Sequence, residues 1–283
     1  MKIATFIDNG KPGLGIVNGN IIVPLSQILP KGPSDMVELI ADWDNIRNQI
    51  NLAAAGDAGL SLSEAHLLAP VLHPGKVLAI GLNYADHVAE TGREPPEHQV
   101  WFAKLSSIWA PFDDIQIPKA SSKIDYEVEL VAIIGKPGRH ISREDAPKHV
   151  FGYCVGNDVS VRDWQRLTPQ WTLAKSFDTH GPIGPWITTA DEIGDPHRLD
   201  ITCRVNGDVR QSSNTRHLIF DVWSQIEYLS KAMTLQPGDV IFTGTPGGVG
   251  AMAQPPVFLT AGDRVRCEIG ELGAIEGVMV NEA

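Results

Sequence analysis

Ile124-Asp-Tyr-Glu-Val-Glu-Leu-Val-Ala-Ile-Ile-Gly135 alternates like a β-strand, and two carboxylates interrupt its apolar pattern. In an extended chain residues i and i+2 point to one face, roughly 6.6 Å apart. Ile124, Tyr126, Val128 and Leu130 therefore share one face, and Asp125, Glu127, Glu129, Val131 and Ile133 share the other. Glu127 and Glu129 merge into apolar neighbours, so two like charges fall on a surface that reads as half buried. Buried like charges repel and are seldom kept unless a cation joins them. An oxygen-rich divalent metal site resolves that conflict. A solvated acidic face on an antiparallel sheet gives the same local pattern, so this segment alone leaves both readings open.

The chain of 283 residues is long enough for one large domain, or a large one beside a small one. A net charge of -11 and a pI near 5.2 argue against nucleic acid or an anionic membrane as partner. They leave room for a small anionic substrate, because a bound metal and a few basic residues reverse the local field. Cys154, Cys203 and Cys267 lack C-x-x-C spacing, so they offer neither a disulfide framework nor a zinc site and fit reduced thiols. The N-terminal residues carry no signal-peptide core, and no apolar run approaches the roughly 18 residues of a membrane span. The expectation is a cytoplasmic protein.

Residues 1–72 read as a small α+β domain. Gly15 to Val23 form a hairpin turning at Asn18-Gly19, and a helix follows Ser34 with Met36, Ile40, Trp43, Arg47 and Ile50 near one stripe. Arg47 is the odd member, and Ile46 can cover the same face. Pro70 to Gly75 have the composition of a linker, which starts the main domain at residue 73 and runs it to 283. That domain is rich in short strands: Lys76 to Gly81, Val150 to Val155, Ile201 to Val205 turning at Asn206-Gly207, Val240 to Thr243, and a closing pair around Gly270 and Gly273. Leu218, Val222, Ile226, Leu229 and Met233 predict one long helix from about Thr215. Strands in runs with few helices indicate an α+β, mostly-β fold and not a doubly wound parallel sheet.

Four further segments carry chemistry. Asn83 to Gly92 predict a short helix capped by Asn83, with His87 and Glu90 meeting at i, i+3. A carboxylate that accepts one imidazole N–H leaves the other nitrogen free to take a proton, although the same spacing also makes surface ion pairs. Asp158, at the end of a strand, adds a third hard oxygen of the kind Mg²⁺ and Mn²⁺ prefer, or is a turn aspartate beside Arg162 and Asp163. Lys175 lies among small and apolar residues, where an ammonium can hold an anionic oxygen or snorkel to the surface. Thr243-Gly-Thr-Pro-Gly-Gly-Val-Gly250 brings backbone N–H groups and the Thr245 hydroxyl close to a ligand. It lacks the Gly-Lys-Ser/Thr of a phosphate loop.

Taken in order, these blocks resemble the fumarylacetoacetate hydrolase family. The resemblance runs from about Lys76 to Met279 through N-Y-A-D-H-x-x-E (Asn83 to Glu90), D-Y-E-V-E-L (Asp125 to Leu130), N-D-V-S-V-R-D-W-Q (Asn157 to Gln165), K-S-F-D (Lys175 to Asp178) and G-D-V-I-F-T-G-T-P-G-G-V-G (Gly238 to Gly250). It implies a mixed, mostly-β sheet roll, a homodimer, and Mg²⁺ or Mn²⁺ held by Glu127, Glu129 and Asp158. It also implies that His87 and Glu90 are a dyad on a mobile lid, that Lys175 stands near the reacting carbonyl, and that Arg162, Gln165 and Thr245 bind substrate. Trp101 and Ser106 to Trp109 depart from the expected apolar, proline-containing stretch, so pocket shape is not carried over.

The implied reaction is metal-dependent hydrolysis of the C–C bond of an acylpyruvate or 2,4-diketo acid. His87, oriented by Glu90, activates water and Lys175 steadies the oxyanion. Oxaloacetate decarboxylation and isomerisation of 2-hydroxyhepta-2,4-diene-1,7-dioate are alternatives on the same metal–enolate platform. The intact set of acidic and basic residues speaks against a non-catalytic binding protein.

Overall fold

The acidic stretch divides in two. Ile124–Asp125 pairs antiparallel with Ser160–Val161, and Val128–Ile134 enters a large sheet between Val150–Asn157 and Val240–Phe242. Every residue of Val128–Ile134 is buried, which removes the solvated-face reading. One face packs Val128, Leu130, Ala132 and Ile134 against Ile201, Cys203, Val265, Cys267 and Ile275 of a second sheet. The other packs Val131 and Ile133 against Met36, Leu39, Ile40 and Ile50 of the N-terminal helix. A strand covered on both faces reads as an apolar run, and only its N-terminal end keeps the acids.

The computed structural model describes residues 1–53, 59–92, 94–105 and 108–283. Among these, the architecture is α+β and mostly strand. The large sheet runs Leu60–Ser61, Ile21–Pro24, Lys11–Asn18, Lys2–Asp8, Gly181–Thr189, Val150–Asn157, Val128–Ile134, Val240–Phe242, Val77–Gly81, Val100–Ala103. The second sheet runs Asp208–Asn214, Asp200–Val205, Arg264–Ile269, Gly273–Asn281, Ile115–Ile117. The second hairpin turns where expected, with Asn206 and Gly207 both at positive φ, as a tight two-residue turn demands, whereas the first turns one residue later than expected, at Gly19-Asn20, because Asn18 still pairs with Ile21. Residues 1–72 and 73–283 share sheet and core: Lys2 pairs with Thr188, and helix Met36–Ala53 lies on the large sheet with Trp43 edge-on to Phe151. On that helix Arg47 is exposed and Ile46 is buried.

Two further local expectations fail, for one reason. The long helix starts at Val222 and not near Thr215, with Asp221 as its cap accepting from Ser224 N at 2.8 Å. Ile219 and Phe220 are held out of the helix by Asn83, whose carbonyl accepts from Ile219 N and whose amide side chain bonds both N and O of Phe220. Asn83 is thereby unavailable as a helix cap, and Tyr84 takes that place for Ala85–Thr91, which stops at left-handed Gly92 as expected. Asn83 also donates to Thr243 O, so it pins the short helix to the glycine-rich turn. No described helix is long and apolar enough to cross a membrane.

Candidate active site

Antiparallel pairing sets the start of Val128–Ile134 beside the end of Val150–Asn157, with Val128 opposite Asn157. Asn157 Oδ1 accepts from Glu127 N at 3.0 Å, and Asp158 N donates to Glu127 O at 2.8 Å. Those bonds bring Glu127, Glu129 and Asp158 into one group, with ligand oxygens within 4.8 Å of one another and all three residues buried. Lys175 Nζ reaches the same point, 2.5 Å from Glu127 Oε2 and 2.6 Å from Asp158 Oδ2.

Arg162, on helix Arg162–Leu167, spans two acids. Its Nε donates to Asp125 Oδ2 at 2.8 Å, NH2 lies 2.7 Å from Glu127 Oε1 as an ion pair, and NH1 donates to Gln165 Oε1 at 2.9 Å. A second buried lysine, Lys104, donates to Asp158 Oδ1 at 2.7 Å. Four acids (Asp125, Glu127, Glu129, Asp158) thus face three cations (Lys104, Arg162, Lys175). Burial opposes the charge on Glu127, but Lys175 and Arg162 overcome it and hold its carboxyl at about 2. Glu129 makes no ion pair among the described residues; its Oε2 accepts from Gly244 N at 2.7 Å. Burial, then the charges of Asp158 and Glu127, push its carboxyl well above the usual range. Three convergent hard oxygens with one negative charge uncompensated fit a divalent cation such as Mg²⁺ or Mn²⁺.

The glycine-rich turn closes the site from the other side. Gly244 takes φ +108, and a Cβ there would meet Asn83 Cβ at 2.7 Å, so only glycine brings this amide to Glu129. Gly248 N donates to Glu90 Oε2 at 2.8 Å, while Glu90 Oε1 lies 2.7 Å from His87 Nδ1. Asp86 accepts from Ser213 Oγ at 2.6 Å and from Gly247 N at 3.3 Å, which docks the short helix on the turn. The His87 imidazole is close enough for its charge to contribute to the lowered Glu127 carboxyl.

Of the residues picked out in the sequence, Glu127, Glu129, Asp158, Lys175, Arg162 and Gln165 converge, and His87 with Glu90 forms a dyad beside them. The Thr245 hydroxyl is bound within the protein: it donates to Val128 O at 3.0 Å and accepts from Gln211 Nε2 at 2.8 Å. Trp101 donates to Gln99 Oε1; Ser106 and Ser107 lie outside the described residues. Lys104, Asp125 as the acceptor for Arg162, and Gln211 were not picked out. A lone lysine ending an apolar strand was the available signal for Lys104.

Comparison with known proteins follows the same outline. The family model described as fumarylacetoacetate (FAA) hydrolase C-terminal matches residues 76–280. The mitochondrial oxaloacetate tautomerase of Xenopus laevis is 45% identical over 288 residues, covering 99% of this chain and 90% of the relative. Among solved structures, maleylpyruvate hydrolase from Sphingobium sp. SYK-6, in complex with manganese(II) ion and pyruvate, superposes with TM-score 0.85 at 35% identity, covering 100% of both chains. The 2-hydroxyhepta-2,4-diene-1,7-dioate isomerase from Mycobacterium marinum gives TM-score 0.78 at 30% identity, covering 100% of this chain and 99% of that one.

Proposed function

Because the chain belongs to the fumarylacetoacetate hydrolase family, whose named relatives are enzymes, we propose that it interconverts the keto and enol forms of oxaloacetate or a closely related 2-oxo dicarboxylate. The observation that carries this reading is a buried carboxylate trio sharing its field with an imidazole whose Nδ1 is taken by Glu90. The likeness to an oxaloacetate tautomerase along nearly the whole chain supports it. Glu127, Glu129 and Asp158 are the ligands of Mg²⁺ or Mn²⁺. When bound, that ion supplies Lewis-acid polarisation of the 2-oxo group.

Keto–enol exchange moves one proton between C3 and the C2 oxygen. With Nδ1 donating to Glu90, His87 Nε2 is the free atom that takes the C3 proton, and Glu90 stabilises the resulting imidazolium. Lys175 Nζ hydrogen-bonds the developing oxyanion, and the His87 imidazolium gives up its proton, through water, to that oxygen to complete the enol. Arg162, itself held by Gln165, holds Glu127, and the Thr245 hydroxyl fixes the backbone of the acidic strand.

Hydrolysis of an acylpyruvate or 2,4-diketo acid is the second reading, favoured by the full-length likeness to maleylpyruvate hydrolase. There the same Nε2 would take its proton from water. A direct test follows enol absorbance and pyruvate release for oxaloacetate and a panel of 2,4-diketo acids, with Mn²⁺ or with EDTA. The proposal expects metal-dependent loss of enol without pyruvate. Pyruvate from the diketo acids, with oxaloacetate exchanging only at the buffer rate, would overturn it in favour of hydrolysis. Pyruvate from oxaloacetate would mark a decarboxylase. We also take the protein to be a homodimer in a reducing compartment, cytoplasmic or, as for the tautomerase relatives, mitochondrial.

A further inference from the structure

Lys104 follows the strand Val100–Ala103, and its main-chain N–H donates to Val77 O. A side chain leaving a strand end ordinarily reaches water, and a lysine almost always does. This one turns inward, lays its ammonium 5.7 Å from the centre of the Phe242 ring, and has a fully buried side chain. An ammonium has three protons and is costly to bury unless each finds an acceptor. Here each does: Asp158 Oδ1 at 2.7 Å, Lys175 O at 2.5 Å and His180 O at 3.0 Å. One acceptor is a member of the carboxylate trio, and the other two are carbonyls of the loop that delivers Lys175.

The division of labour at Asp158 is specific. Lys104 occupies Oδ1, and Oδ2 is the oxygen directed to the point where Lys175 Nζ and Glu127 Oε2 meet. We propose that Lys104 is a positioning residue of the metal centre. By taking Oδ1 of Asp158 and the carbonyl of Lys175, it makes Asp158 present a single oxygen to the cation and fixes the approach of Lys175. The inference rests on the reading of Glu127, Glu129 and Asp158 as metal ligands, and not on the choice of substrate. Arginine is no replacement, because a planar guanidinium does not match three acceptors arranged around a tetrahedral nitrogen.

The test is a Mn²⁺ titration of the wild type, Lys104→Met and Lys104→Arg, read by calorimetry and by the paramagnetic resonance of free Mn²⁺. Loss of positioning weakens Mn²⁺ binding by about tenfold or more in both variants, the range seen when groups that orient metal ligands are removed. Simple charge balance gives the opposite sign, since Lys104→Met leaves the site more negative and would bind Mn²⁺ more tightly, with Lys104→Arg unchanged. Wild-type or tighter binding in Lys104→Met overturns the proposal and leaves the metal site standing. Absence of Mn²⁺ binding by the wild type overturns both. Should neither variant fold, ¹⁵N-lysine spectra of the wild type decide. The slowly exchanging Lys104 ammonium is expected to shift on saturation with Mg²⁺, and a resonance indifferent to the ion overturns the proposal.

Discussion

Replacing Arg162 by methionine separates two roles that the sequence alone could not. The resemblance implies that Arg162 binds substrate, yet the residue is 6% exposed and its guanidinium is engaged with Asp125, Glu127 and Gln165. Removing one partner of a buried ion pair costs about 3–5 kcal/mol, because the other charge is left behind. Asp125 keeps three main-chain donors, from Tyr126, Gly250 and Ala251, and Glu127 keeps Lys175. The loss therefore falls at the lower end, about 3 kcal/mol. For a chain of this length each kcal/mol moves Tm by roughly 2–3 °C, so Arg162→Met should melt about 6–9 °C lower. Arg162→Lys restores the charge without the fork and should recover only part of it. The assay is calorimetric unfolding in EDTA, run beside KM for oxaloacetate. A Tm within about 2 °C of wild type, together with a raised KM, would refute the structural role and return Arg162 to the substrate.

Acid should destabilise the protein through His180. Burial, with the Lys104 charge adding to it, lowers this imidazole from 6.5 to about 4 against the hydrogen bond to Gln116 O. A depressed group contributes stability above its unfolded value and loses it as pH falls through the folded one. About 3 kcal/mol should therefore disappear between pH 6.5 and 4. His180→Phe should flatten that part of the Tm–pH curve; an unchanged slope would place the acid sensitivity elsewhere. His87→Ala should lower kcat for the enol exchange by about 100-fold or more with Mn²⁺ affinity retained, and equal loss of both would remove the proton-transfer role. Chelation by EDTA should abolish activity and lower Tm, with Mn²⁺ restoring both; full activity in EDTA would remove the metal from the reaction.

Alternation raised a cation site at Glu127 and Glu129 beside a solvated-face reading, and the trio with Asp158 became legible only through the ordered blocks of the family resemblance, because the strand itself breaks at Tyr126 and Glu127. The long helix was misplaced because apolar periodicity at Leu218 and Val222 carries no record of Asn83, which lies more than a hundred residues away and holds Ile219 and Phe220 out of the helix. Lys104 escaped for a related reason. Its acceptors lie 54, 71 and 76 positions along the chain, and nothing local distinguishes it from a lysine ending a strand in water. Thr245 was seen as a hydroxyl near a ligand, whereas its partners belong to the acidic strand and to Gln211 of the second sheet.

The turn from Thr243 to Ala251 meets carboxylates almost entirely through main-chain N–H groups: Gly244 on Glu129, Gly247 on Asp86, Gly248 on Glu90, Gly250 and Ala251 on Asp125. Each is a natural reporter for deuterium uptake. Gly247 and Gly248 clock the lifting of the short helix alone, while Gly244, Gly250 and Ala251 exchange only when the carboxylate bed itself comes apart. A single peptide carrying all five would therefore resolve breathing of the cover from loosening of the floor, in a native protein and without a label.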